Sequence, residues 1–198
     1  MSEVSEPPGG PLDSVLGLSA EEKETLLRVA RQTLHDYLSR GEIAESGSDR
    51  PALLQPCATF VTLWRRDSGE LRGCRGECHA RRSLLESVTN MAVAAGVDDS
   101  RFASVTIEEM PDLRIEINAL TPMEPIEPKD VVIGRHGLLI VSEFSMGLLL
   151  PDVAVRYKWD REDFLKAVCR KAGLPGDAWK GEGVQLFGFE SEAWAEEE

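Results

Sequence analysis

Apolar residues recur at helical spacing between Ser19 and Gly41, where Leu26, Leu27, Ala30, Leu34, Tyr37 and Leu38 fall on one side of a 3.6-residue period. Ser19 followed by Glu22 predicts a capping box at the start of this helix, and Gly41 a stop. A polar stretch, 42–56, follows. Ala58 to Trp64 is rich in Thr, Val and aromatics and reads as a strand, Asp67-Ser68-Gly69 as a turn, and Leu71 as the start of the returning strand. Ser83 to Ala95 predicts a second helix with Leu84, Leu85, Val88, Met91, Ala92 and Ala95 on one face. From Leu113 to Leu120 the period switches to two. Leu113, Ile115, Ile117 and Ala119 share one face, and Arg114, Glu116 and Asn118 the other.

Pro122, Pro125 and Pro128 force an extended connection. Leu138–Val141 and Gly147–Leu150 read as a hairpin that Pro151 ends. Asp160 caps a third main helix through Arg170, closed by Gly173 and Pro175, and Val184–Phe189 reads as the last strand. Hairpins dominate and no βαβ regularity appears. The expected fold class is therefore α+β, with antiparallel sheets and flanking helices. The Pro/Gly-rich segment 1–18 is expected to be a disordered arm, 19–195 a single domain, and 196–198 an acidic tail.

The net charge of −13 repels a phosphate backbone, and no long Lys/Arg run supplies the basic stripe that RNA or DNA binding needs. No nucleic-acid partner is expected, though a local basic pocket leaves anionic small substrates open. No apolar run is long enough to span a bilayer, and residues 1–12 lack both a basic start and an apolar stretch. The expectation is a cytoplasmic protein without a membrane partner. Its cysteines, Cys57, Cys74, Cys78 and Cys169, are then expected as thiols. Cys74, Cys78 and His79 resemble the start of a radical SAM cluster motif, but Arg81 stands where the third cysteine would fall, and no second close pair completes a zinc site. No metal or cofactor is expected.

The segment Leu71-Arg72-Gly73-Cys74-Arg75-Gly76 is the candidate functional centre. Gly73 and Gly76 bracket the thiol and permit a close approach to the backbone. Arg72, Arg75, Arg81 and Arg82 crowd the stretch, and nearby cations favour thiolate over thiol. The alternative is a small buried cysteine among solvated arginines.

The ordered set Leu71-Arg72-Gly73-Cys74, Asp99-Ser100-Arg101-Phe102, Ile115-Glu116-Ile117, Leu120-Thr121-Pro122, Ile133-Gly134-Arg135-His136-Gly137-Leu138, Gly147-Leu148-Leu149-Leu150-Pro151 and Trp159-Asp160 through Lys171-Ala172-Gly173-Leu174 resembles the AMMECR domain family, whose bacterial members are called AmmeMemoRadiSam system protein A. The resemblance covers about residues 20 to 195. It implies two intertwined lobes, with a cleft near the Arg-Gly-Cys segment. It also implies work in a modification pathway with a Memo-type protein and a radical SAM enzyme. Arg75, Glu77, Asn118, Asp152 and Arg156 depart from the residues usual in that family, and an extra arginine and carboxylate beside Cys74 bear on substrate charge.

A nucleophilic cysteine needs a base and an orienting group. His136, on a Gly-flanked turn, is the candidate base; its other role is to shape that turn. Glu116 either orients His136, serves as general acid/base, or forms an ion pair with Arg72, Arg101 or Arg114. Candidate catalytic residues are thus Cys74, His136 and Glu116. Candidate substrate-binding residues are Arg72, Gly73, Arg75, Gly76 and Arg101, and the Arg101 fork suits a carboxylate or phosphate. Two functions stay open: a cysteine-dependent enzyme, and a non-catalytic binding or adaptor subunit of the same system.

Overall fold

A computed structural model describes residues 14–43 and 47–197. The first helix, α1 (Ala20–Arg40), begins on the expected capping box. The Glu22 N–H donates to Ser19 Oγ, and the Ser19 N–H donates to the Glu22 carboxylate at 2.8 Å. It ends at Gly41, whose φ of 72° lets its N–H reach back to the Tyr37 carbonyl. Strands β1 (Ala58–Arg65) and β2 (Leu71–Gly76) form the expected hairpin, and α2 (Leu84–Val97) repeats the capping box with Ser83 and Glu86. Strand β3 (Leu113–Leu120) pairs with the other side of β1.

The chain then builds a second sheet from β4 (Glu124–Pro125), β5 (Gly137–Ser142) and β6 (Met146–Leu149). Helices α3 (Pro151–Arg156) and α4 (Arg161–Lys171) follow, then β7 (Val184–Phe189) and β8 (Ser191–Ala195). Both sheets are four-stranded and antiparallel, in the orders β2-β1-β3-β8 and β4-β7-β5-β6. The α+β class of the sequence reading holds.

Each sheet has its own core. In the first lobe, Leu26, Ala30 and Leu34 of α1 and Val88 and Ala92 of α2 pack on Val61, Leu63, Ile115 and Ile117. In the second, Phe164, Leu165 and Val168 of α4 pack on Leu138 and Ile140. A small third cluster, with Ala58, Leu120 and Phe189 buried under Phe60, Leu148 and Leu150, joins the lobes. No described helix is long and apolar enough to cross a membrane.

Four details differ from expectation. Residues 1–13 of the expected arm lie outside the described residues, but 14–18 are ordered against the domain: Leu18 is in the first core and Ser14 donates to Glu192. Glu196 is no free tail, because its N–H donates to the Ile115 carbonyl and its carboxylate accepts from Arg31 and the Ile115 N–H. Pro151 does end the hairpin, but as the first residue of a short helix, where its missing N–H costs nothing. Val184–Phe189 is not the last strand, since β8 follows and returns to the first sheet.

Candidate functional site

The register of the first sheet assembles the site. Thr62 on β1 stands opposite both Cys74 on β2 and Glu116 on β3. Directly opposite residues point to the same side of a sheet, so Cys74, Thr62 and Glu116 form one row across three strands. Strand spacing places the two end backbones roughly 10 Å apart. The row faces away from α1 and α2, because the alternate residues Val61, Leu63, Ile115 and Ile117 fill the helical core. Trp64 and Arg114, opposite each other, and Asn118 extend the same outer face. Across from it stands α3 of the second lobe, whose Asp152 and Arg156 act electrostatically on Glu116.

Cys74 is half-buried. The Thr62 hydroxyl donates to its sulfur at 3.3 Å, and its backbone N–H donates to Asp99 Oδ2 at 2.9 Å. Burial raises the thiol pKa above its ordinary value; the Thr62 hydrogen bond and the Arg101 charge pull it down, while Asp99 and Glu116 push it further up. The resting group is a thiol. Asp99 itself stays ionised, because Arg101 grips both its oxygens, Nε to Oδ1 at 2.9 Å and Nη2 to Oδ2 at 2.6 Å. Glu116 has its pKa raised by burial, partly offset by the Trp64 indole and Arg114. It forms no ion pair within 4 Å among the described residues, so the expected pairing with Arg72, Arg101 or Arg114 is not made. Two buried polar atoms on this face also lack a completed hydrogen bond: Trp64 Nε1 and Asn118 Oδ1. Native folds leave few such groups, and a site that receives a polar ligand is one setting that keeps them.

The other residues singled out from sequence go elsewhere. Arg72 is buried and forked onto Glu109 at 2.8 and 3.0 Å, with a third bond to the Ala103 carbonyl, so its donors are spent on holding β2 to the loop before β3. Arg75 alternates away from Cys74 and is exposed, so solvent screens its charge from the thiol. Gly73 turns toward α2; a Cβ there would stand 2.2 Å from the Ala95 carbonyl oxygen. Gly76 lies under the Phe60 ring. Both glycines therefore serve packing. His136 accepts the Val132 N–H through Nδ1 at 3.1 Å and borders a separate cavity with Arg135 and Glu190. It shares no hydrogen bond with Cys74 or Glu116, and its turn-shaping role is the one observed. Cys78 and His79 line an apolar cavity with Leu120, Met123 and Phe187, and no cluster of three metal-ligating side chains occurs among the described residues.

Thr62, Trp64 and Asp99 were not singled out from sequence as site residues, and Arg114 was named only as an ion-pair partner for Glu116. Asp99 had a signal, being within the Asp-Ser-Arg-Phe motif beside Arg101. Thr62 became visible only through strand register.

A two-lobed α+β chain with two antiparallel sheets and a thiol–carboxylate row on the face of the first sheet away from its helices is the class these observations define. The family model AMMECR1 matches residues 27–194, and the chain belongs to that family. Protein PF1979 of Pyrococcus furiosus is 40% identical over 184 residues, which cover 88% of this chain and 88% of that protein. Protein MJ0810 of Methanocaldococcus jannaschii is 39% identical over 188 residues, covering 91% and 93%. The crystal structure of the uncharacterized protein PH0010 from Pyrococcus horikoshii superposes with a TM-score of 0.84 at 38% identity, covering 91% of this chain and 94% of that one.

Proposed function

We propose that this chain binds a small molecule in the cleft faced by Cys74, Thr62 and Glu116 and acts on it, in a modification pathway shared with a Memo-type protein and a radical SAM enzyme. The observation that carries the chemistry is the row itself: a thiol and a carboxyl on one polar face, both driven toward their neutral forms by burial. A carboxyl whose pKa is raised above its ordinary value is a better proton acceptor when ionised than an exposed one. The Cys74 sulfur becomes a nucleophile once its proton passes to a base, and Glu116, two strands away in the same row, takes that proton only through the bound ligand or a water. Thr62, already donating to the sulfur, and Arg101 then stabilise the thiolate. The pathway assignment rests on the family resemblance alone.

The test compares wild type with Cys74→Ser and Glu116→Gln after incubation with a small-molecule extract of the producing cells. A ligand-dependent thermal shift or covalent mass adduct in the wild type, lost in both variants, is the expected result. Equal behaviour of all three proteins sinks the reading.

One observation favours the adaptor role as a second reading. Phe144 is 90% exposed, and Met146, Tyr157, Val132 and Val155 are exposed large apolar residues on the same second lobe. If that surface seats the Memo-type protein, Phe144→Ser abolishes co-purification and leaves small-molecule binding intact.

A further inference from the structure

The three arginines nearest the outer face are used differently. Trp64, Arg65, Arg66, Gly69, Arg114 and Glu116 line a cavity of about 480 Å³ at the end of the β1–β3 ladder. Arg65 is drawn to Glu109, and the Arg66 guanidinium is spent on the Leu113 and Glu197 carbonyls and on Glu196. Arg114 gives only its Nε, to the Glu196 carbonyl at 2.9 Å, and its two terminal nitrogens have no partner among the described residues. Opposite it on β1 is Trp64, so the two side chains rise together from one face. The Trp64 indole N–H is buried and makes no full hydrogen bond among the described residues, although it lies close enough to Glu116 to lower that carboxyl's pKa. An indole nitrogen is a donor only, and a guanidinium has only donors. Between them the described residues place only the Glu116 carboxyl, which completes neither a hydrogen bond with Trp64 nor an ion pair with Arg114.

We propose that this cavity is an oxyanion subsite, seating a carboxylate or phosphate group of the ligand on the Arg114 fork and the Trp64 N–H. This rests on the reading of the cleft as a small-molecule site and names the class of its ligand. It moves the anion-binding role away from Arg72, Arg75 and Arg101, whose guanidinium groups are committed or turned away. Guanidinium offers two parallel donors to a planar or tetrahedral oxyanion, and the indole supplies a third, which orients the bound group. Glu116, on the same wall, is held toward its neutral acid by burial, which relieves repulsion of an incoming anion. A ligand anchored here by its anionic end extends along the face past Glu116 and Thr62 toward Cys74.

The test follows the Trp64 indole N–H cross-peak by ¹H–¹⁵N NMR, assigned from Trp64→Phe, while potassium phosphate or potassium succinate is added at ionic strength held constant with potassium chloride. A saturable shift of that peak is expected, with the other three tryptophans unmoved. Arg114→Gln weakens the apparent affinity by about tenfold or more, and Arg114→Lys, which keeps the charge but not the fork, by less. Phosphate against succinate tells a phosphate ligand from a carboxylate. No saturable shift with either up to ~50 mM, or a shift that survives Arg114→Gln in the folded protein, overturns the subsite. If a cell extract still yields a ligand lost in Cys74→Ser while both anions are silent, the subsite falls and the cleft reading stands. Silence toward extract and anions alike removes both.

Discussion

The two faces of the first sheet are built from the same strands and could hardly differ more. On the helix side, Val61, Leu63, Ile115 and Ile117 are fully buried against α1 and α2, and Gly73 brings β2 against the backbone of α2. One residue along each strand, on the other side, stand Thr62, Cys74, Glu116, Asn118, Trp64 and Arg114, with two buried polar atoms unpaired and one carboxylate without an ion-pair partner. The pleat separates two tasks that conflict in one environment. The apolar face supplies stability; the polar face keeps groups whose desolvation goes uncompensated, which a fold tolerates where a ligand completes them.

The sharpest way to break this comparison is to truncate a residue on each face. Ile117→Ala removes buried methyls from the helical side and is expected to cost about 2–5 kcal/mol in urea unfolding. Thr62→Ala, one strand over and facing the cleft, is expected to cost about 1 kcal/mol, the scale of one lost hydrogen bond. Comparable losses from both would mean that the outer face is a core in its own right. Gly73→Ala comes next, at about 1–3 kcal/mol, because its Cβ meets backbone that cannot rotate away. Gly76→Ala meets only the Phe60 ring, a side chain with a hinge, and is expected to cost less.

Smaller effects probe the titrating groups. Alkylation of Cys74 by iodoacetamide at about pH 8 should run slower than that of a free cysteine, since its pKa is raised and the thiolate is the reactive form. Glu116→Gln removes a negative charge that disfavours the thiolate, so labelling of that variant should be faster than of the wild type. Slower labelling would show Glu116 already serving as the base. The smallest effect is on stability. The folded state holds the Glu116 proton to higher pH than the unfolded chain does, so between the usual carboxylate range and the raised value it binds more protons, and stability falls as pH rises through that window. Glu116→Gln is expected to flatten this fall. Melting curves of both proteins from about pH 4 to about pH 8 compare the slopes directly.

Local chemistry made much of this fold legible. The capping box of Ser19 and Glu22, the glycine stop at Gly41 and the alternation from Leu113 to Asn118 each reflect interactions within a few residues, and each was met in the structure. β8 escaped notice because its five residues carry Glu192 and an alanine pair and show little alternation; it exists because β3 offers a free edge. The site was half legible. Cys74 and Glu116 stand out by chemistry, but their juxtaposition depends on the register of two ladders through Thr62, which no local pattern encodes. The arginines misled for the same reason. Proximity in sequence placed Arg75 beside the thiol, while strand alternation sends it to the opposite face. The partner that occupies Arg72, Glu109, comes from 37 residues further on.

The return of β8 to the first sheet has a consequence for biosynthesis. Its residues, 191–195, are made after every other strand of both sheets, yet they cover the edge of β3, and Trp194, Glu192 and Glu196 fasten α1 through the Lys23 carbonyl, Lys23 and Arg31. A nascent chain that has already released both helices and the whole second sheet from the ribosome still carries an open strand edge in its first lobe. Such edges recruit other strands. A stalled or clipped product ending before Ser191 would therefore be an aggregation-prone species while retaining every residue of the Cys74 row, and a tag fused at the C-terminus needs a spacer long enough to leave that closing strand undisturbed.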